Sequence, residues 1–584
     1  MRPINRATKH EGYPCNESET KILTEGTGKS PDRGTQKLQE DEEDNISGKA
    51  RWMKKNSLVL SVILSLLITV GGTFFVFPFN SPWFSFKLKS VKQDEIHQKI
   101  IKTGSGVEFN SNITGGNLMH VHESESNGSK EFHFYLGISG DCCTNEESSP
   151  RFWFYFKLKG LKEGLHTFTV ANLNFNQAVW DNGMVPVLKR GNSPWEYIRE
   201  FPLAIKKIDE KNMALTWKHM SRGTKEEVEM ALSFPWTLEQ NVKWIFNTIH
   251  KVGKRNDLYL HSEILDYTEA GGPVEAFHLS TLKGISKVRF GNVTALFPDA
   301  EEKRARVFLH KRYVVLLART VAFGSPSNFV VKGLVDSLFK EQDQAKKFFK
   351  NYVLVVIPMI NVDGANHGYT INSASGRSID KMFTGPTGIM KSVKVYLLNL
   401  QKKVRIHSVI ELRTQIDNPD HTIAVKAFEN PRDEFQALCI PYLLHLHNPK
   451  IQFNKVSLFS PNSTKLQGRY GLYGDLACQR ILVIGVSMWG KHRKKGDYQI
   501  FIGDKRYVRS SKGRHTIKHF INLGRDLMRT LVDSHHLLNG GEKKRHTYKV
   551  GRLRDRIKEE LRRLNFGLIH KPLQDQAPKK SPTI

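Results

Sequence analysis

Metal-assisted chemistry needs lone pairs from His, Cys, Asp or Glu at close spacing. The chain, of 584 residues, offers a His-x-x-Glu pattern at His120-Val-His-Glu123. That pattern lies in a β-rich stretch and reads as a charged strand or loop segment. His445-Leu-His447 and His535-His536 have no carboxylate at ligand spacing and read as helix-surface residues. Five cysteines (Cys15, Cys142, Cys143, Cys439, Cys478) form no CxxC pair and are too few for a disulfide scaffold. Between Glu434 and Glu542 there is no glutamate, which leaves that part of the chain without the commonest carboxylate base. Groups that attract anions are plentiful instead. Lys and Arg number 88 against 58 Asp and Glu, a net charge of +30, which bears on partners and not on fold.

The elements that would position such residues follow from length and pattern. A chain this long predicts two or more domains, and 39% hydrophobic with 25% charged residues excludes a wholly disordered protein. Residues 1–56 carry 11 basic and 10 acidic residues, including the run Glu40-Asp41-Glu42-Glu43-Asp44, and read as a disordered tail. From Ser57 to Phe79 there are 23 residues without a charge, flanked by Lys49, Arg51, Lys54 and Lys55 before and Lys87, Lys89 and Lys92 after. About 20 apolar helical residues cross a bilayer core. The segment therefore predicts a single-pass transmembrane helix, with a buried core helix as the alternative. The flanking charges lean slightly toward a cytosolic N-terminus, which would make sequons at Asn112, Asn127, Asn292 and Asn462 usable.

Residues 100–240 read as a small β-sandwich domain: Arg151–Lys157 is an aromatic strand, and His166–Asn172 alternates with period two. Residues 241–540 alternate buried strands with helical patterns. The predicted strands are Tyr313–Ala318, Tyr352–Pro358, His407–Leu412 and Ile481–Val486. The predicted helices fall at Asn328–Phe349, Gly388–Lys402 and His515–Ser534. This is the signature of an α/β domain with a mixed, mostly parallel sheet flanked by helices. Residues 541–584, with 13 basic and 5 acidic residues, form a basic tail in which 552–564 has helical character.

Several stretches resemble the cytosolic carboxypeptidases. In the β-rich part these are Phe109–Leu118, Phe152-Trp-Phe-Tyr-Phe156, Ala171-Asn-Leu173 and Gly183-Met-Val-Pro186. The likeness continues through Ala318-Arg319, Val331-Lys-Gly333, Ile357-Pro-Met-Ile-Asn-Val-Asp-Gly364 and Leu523-Gly-Arg-Asp-Leu-Met528, in order, over roughly 100–540. The resemblance implies a β-domain followed by a zinc carboxypeptidase fold. It also implies three zinc ligands, with a glutamate base to activate the metal-bound water. Laid on this chain, the His-x-x-Glu ligand positions fall on Val321 and Gly324, and the distal His falls on Arg413, a permanent cation with no lone pair. The general base falls on Gly485, the substrate-gripping Asn-Arg pair on Asp380 and Lys381, and a further pocket Arg on Ile371.

The apolar segment and the resemblance together predict a membrane-anchored carboxypeptidase fold without its chemistry and without a metal cofactor. Arg413, Lys381 and Asp380 are the candidate binding residues, for acidic chain ends or tails. Against this, Arg413 would simply fill vacated volume and pair with Asp380 or Glu411. Two alternatives stand beside it. One is an active zinc enzyme removing C-terminal or side-chain glutamates from proteins such as tubulin. The other is a structural subunit of a membrane assembly. Residues 435–541 carry 17 Lys/Arg against 5 Asp with few interleaved aromatics, which favours anionic lipid over nucleic acid as a partner of that face.

Overall fold

The computed structural model describes residues 99–563, except 126–130, 143–148, 175–177, 182, 200–202, 294–295, 300, 380–387, 428–430, 461–472, 479, 491–497, 503–504, 510–513, 540–554 and 561. All of them belong to one compact unit, Leu88–Ile584. The apolar stretch 57–79 and the tail 1–56 lie outside the described residues. Among the described residues no helix is long and apolar enough to cross a membrane.

The N-terminal half builds two sheets of six and seven strands. Alternation sets their inner faces: in Phe132–Gly137 the side chains of Phe132, Phe134 and Leu136 are buried while Tyr135 is exposed. Rings from the two sheets meet in the middle, with Phe109 edge-on to Phe134 at 5.2 Å, and Phe154 and Phe168 each stacked on Trp217 at 5.8 Å. One strand pair comes from far along the chain. The hairpin Tyr498–Ile502/Lys505–Arg509 extends the seven-stranded sheet, with Ile500 pairing Leu203 in parallel.

The C-terminal half is built on an eight-stranded sheet of β1 (Leu258–Tyr267), β2 (Pro273–Thr281), β3 (Arg312–Ala318), β4 (Tyr352–Ile357), β5 (Ile406–Gln415), β6 (Thr422–Lys426), β7 (Ser457–Phe459) and β8 (Ile481–Ser487). Their spatial order is β1-β2-β4-β3-β5-β8-β6-β7. The four central strands β4, β3, β5 and β8 are parallel, and their side chains are almost wholly buried, as continuous apolar runs require. β1, β2 and β6 pair antiparallel at the flanks. The longer helices are α1 (Leu238–Gly253), α2 (Ser325–Lys340), α3 (Ile389–Lys403), α4 (Pro431–His447) and α5 (Ile517–Asn539). Thr237 and Gln240 close a capping box at the start of α1.

The stretch 328–349, predicted as one helix, is two: α2 ends at Lys340 and a second helix runs Gln342–Asn351. α2 packs on α5 through glycines. A Cβ on Gly333 would lie 2.2 Å from the Ile521 carbonyl oxygen, and one on Gly524 would lie 2.0 Å from that of Val330, so only hydrogen fits at the crossing. Residues 555–560 of the tail are helical, and Ile557 is buried against Cys439, Leu443 and Leu537.

The two halves are joined by buried polar contacts. Asp141 accepts the backbone N–H groups of Thr370, Ile371 and Asn372 at 2.5, 2.8 and 2.8 Å. Burial pushes its carboxyl up, although these three donors pull it down. Asn117 donates to the Gly368 carbonyl at 3.0 Å, and the Gly115 N–H donates to the Asn366 carbonyl at 2.8 Å, with Gly115 held within the sandwich by the Trp153 indole at 2.8 Å. The aromatic and glycine motifs of the sandwich therefore serve to seat the 366–372 loop.

Candidate functional site

Ligands of parallel α/β sheets gather at the carboxyl ends of the strands. β3 ends at Ala318, and the turn that follows begins with Arg319, whose φ of 57° is in the left-handed region. Such a conformation costs about 1 kcal/mol or more for a residue with a Cβ. The backbone of Arg319 is tied on both sides: its N–H donates to Ser327 Oγ at 3.2 Å, and its carbonyl accepts from Asn361 N–H at 2.9 Å. The buried guanidinium donates to the Ala322 and Trp236 carbonyls and to Asn328 Oδ1, and burial lowers it to about 9.

This turn carries Val321 and Gly324. Val321 is half-buried and packs on the core; Gly324 is buried and leads into α2. The two lie side by side: the Gly324 N–H donates to the Val321 carbonyl at 3.0 Å, and a Cβ at Gly324 would sit 2.7 Å from that same oxygen. Across the cleft, Thr414 of β5 donates to the Gly324 carbonyl at 2.9 Å.

Arg413 stands one residue before Thr414. Its Nε donates to Glu411 Oε1 at 2.9 Å, with both side chains nearly excluded from solvent (5% and 1% exposed). Glu411 is fully engaged, because Thr320 Oγ1 donates to the same oxygen at 3.2 Å and Tyr473 donates its hydroxyl to Oε2 at 2.6 Å. A buried carboxylate is thereby satisfied by a cation and two hydroxyls, which is the condition under which burial of charge is tolerable.

Gly485 lies in β8, opposite Arg413 in the parallel ladder and opposite Thr422 of β6 in the antiparallel one. The space where its side chain would begin is taken. A Cβ there would fall 2.2 Å from Thr422 Oγ1 and 2.3 Å from Gln415 Oε1. Those two side chains bond one another at 2.9 Å, and Gln415 Nε2 donates onward to the Asp420 carbonyl at 2.7 Å. Ile371 is partly buried, and its backbone N–H is held by Asp141.

The structure thus brings Val321, Gly324, Arg413 and Gly485 to the ends of three adjacent strands. Asp380 and Lys381 lie outside the described residues. Tyr473, Gln415 and Thr422, which the sequence reading did not single out, complete the centre; β6, which carries Thr422, is short and half-polar and gave no signal.

The donor chemistry does not fit zinc. An isopropyl group, a hydrogen atom and a guanidinium stand at the three positions, and none offers a lone pair. Among the described residues, no group of three or more His, Cys, Asp or Glu is placed to hold a metal ion. In the other histidine patterns, Glu123, His445, His447 and His535 are engaged in bonds elsewhere. His120 to Glu123 lie on an edge strand, where Glu123 accepts from Ser105 N–H at 2.9 Å. His445 and His447 are half-buried rather than plain surface residues, bonded to the Ile451 carbonyl at 2.6 Å and to Asp533 at 2.8 Å. His535 meets the Tyr352 hydroxyl at 3.2 Å.

Comparison with known proteins agrees with this fold. No family model matches the chain. It is 26% identical over 318 residues to cytosolic carboxypeptidase-like protein 5 of Bos taurus, covering 49% of this chain and 36% of the relative. The human protein of that name is 25% identical over 319 residues, with the same shares covered. The match thus spans little more than a third of the length of these curated relatives. A crystal structure of a metallo-carboxypeptidase from Burkholderia cenocepacia is similar in fold, with a TM-score of 0.53 and 16% identity over 73% of this chain and 98% of that one.

These relatives also correct the expected placement of the protein as single-pass in a membrane, since they are named cytosolic carboxypeptidases. The expectation rested on the uncharged stretch 57–79 and its flanking basic residues.

Proposed function

We propose that this chain, which belongs to the cytosolic carboxypeptidase family, is a non-catalytic member that uses the fold as a binding or structural module for anionic partners. The observation that carries the reading is the closure of the former centre on itself. Arg413 is locked to Glu411, and the Gln415–Thr422 pair fills the place from which a base at 485 would project. A carboxypeptidase must acidify a water and take its proton; the residues at these positions offer neither a metal donor nor a carboxylate. The net charge of +30 favours acidic or otherwise anionic partners.

Incubation of the purified full chain with zinc and peptides ending in glutamate tests this. No released amino acid is expected above a protein-free control. Release that saturates with substrate and disappears with a chelator would instead establish the active zinc enzyme.

A further inference from the structure

Away from the former centre, a pocket of about 440 Å³ opens where α1, α2 and the start of α5 meet the sandwich. Its walls are aromatic: Trp195 comes from the sandwich, Trp236 and Trp244 from the entry to α1 and α1 itself, and Phe329 from α2. Trp236 stands edge-on to Trp244 at 6.1 Å and to Phe329 at 5.1 Å, so both faces and edges of rings are presented.

The pocket's ionisable lining is wholly basic, namely Lys243, Lys251, Lys332 and His250, with no carboxylate. Lys251 and Lys332 share one carboxylate, Asp336, which lies behind the lining; Lys251 is 3.5 Å from it. The pair therefore contributes one uncompensated charge. Lys243 is exposed and makes no ion pair among the described residues, which adds a second. Trp244 is only 6% exposed, so its ring is a fixed part of the aromatic wall.

We infer that this pocket binds a planar aromatic anion: a flat ring set against the tryptophans and a negative group on Lys243 and the Lys251/Lys332 pair. Aromatic faces attract flat rings and cations, and the basic rim repels cations. The volume is in the range of small-ligand sites. A nucleotide and an aryl carboxylate share this chemistry.

Calorimetric titration of the full chain with AMP and, separately, with indole-3-acetate tests the assignment and tells the two sources apart. Saturable binding is expected for at least one. It should weaken about tenfold, or 1.4 kcal/mol, in Lys243→Glu and in Trp195→Ala, two rim positions outside the buried core. Circular dichroism confirms that each variant is folded. Adenosine and 3-indole-ethanol, which lack the charge, and octanoate, which lacks the ring, should bind at least tenfold more weakly. Failure of both anions to bind at millimolar concentration would overturn the inference. So would equal binding of the neutral or aliphatic controls, or affinities unchanged in both folded variants.

Discussion

Gly485→Ala adds a single methyl group at the position where the resemblance places the general base. The geometry makes that methyl costly. It would lie 2.2 Å from Thr422 Oγ1, 2.3 Å from Gln415 Oε1 and 2.8 Å from Gln415 Cδ, all well inside contact distance. Overpacking of a filled interior costs roughly 1–3 kcal/mol. Moving Gln415 aside also breaks its 2.9 Å bond with Thr422 and its 2.7 Å bond to the Asp420 carbonyl, each worth about 0.5 kcal/mol net at the low end of the usual range. The predicted loss is therefore about 2–4 kcal/mol. The assay is urea unfolding followed by tryptophan fluorescence, run as a cycle with the double substitution Gln415→Ala/Thr422→Ala. Removing those two side chains empties the space the methyl needs, so the same Gly485→Ala change should then cost about 1 kcal/mol or less. A coupling of roughly 1–3 kcal/mol, typical of residues in direct contact, is expected. An equal cost in both backgrounds, or none in either, would refute the claim that Gln415 and Thr422 occupy the site.

Three further outcomes follow from buried groups. Arg413→Met leaves Glu411 without its cation and should destabilise by about 3–5 kcal/mol, whereas Arg413→Met with Glu411→Leu should cost clearly less in the same unfolding assay. Glu275 is buried, its Oε1 has no hydrogen-bond partner among the described residues, and burial pushes its carboxyl up to about 8. The folded state then holds a proton that the unfolded chain releases above 4.5, so stability is full below pH 4.5 and falls as pH rises toward 8. Glu275→Gln should remove that slope and gain on the order of a few kcal/mol near pH 8, as read from unfolding midpoints across pH. Ile557→Asp should free the 555–560 helix from Cys439, Leu443 and Leu537, seen as faster amide exchange there while β3 and β4 keep their protection.

Much of the central sheet was legible because β3, β4 and β8 are continuous apolar runs, a pattern that buried parallel strands produce. β1 was not, since Leu258–Tyr267 carries His261, Glu263 and Asp266 among its apolar residues. The structure supplies the reason. Burial alone would raise Glu263, but His261 and His278, with ring nitrogens 3.4 and 3.5 Å from its oxygens, hold it down at about 2, and Tyr396 of α3 bonds His278 at 2.6 Å. A buried carboxylate in an otherwise mostly half-buried strand is thus held partly by partners distant in sequence, which no local pattern reveals. Val321, Gly324, Arg413 and Gly485 were singled out only by laying the resemblance on the chain. How the centre closes was not legible, because Tyr473 and Thr422 reach it from elements whose placement depends on the whole sheet. The apolar stretch 57–79 shows the reverse case, in which a strong local signal led to a membrane placement that the relatives contradict.

The central claim is that the former metal centre is sealed by its own side chains. Elemental analysis of the full chain, purified from zinc-replete medium without chelators, tests it most directly. The predicted result is far less than one zinc per chain, with an unfolding midpoint that does not move on addition of EDTA. One tightly held zinc per chain, whose removal lowers that midpoint, would contradict the account.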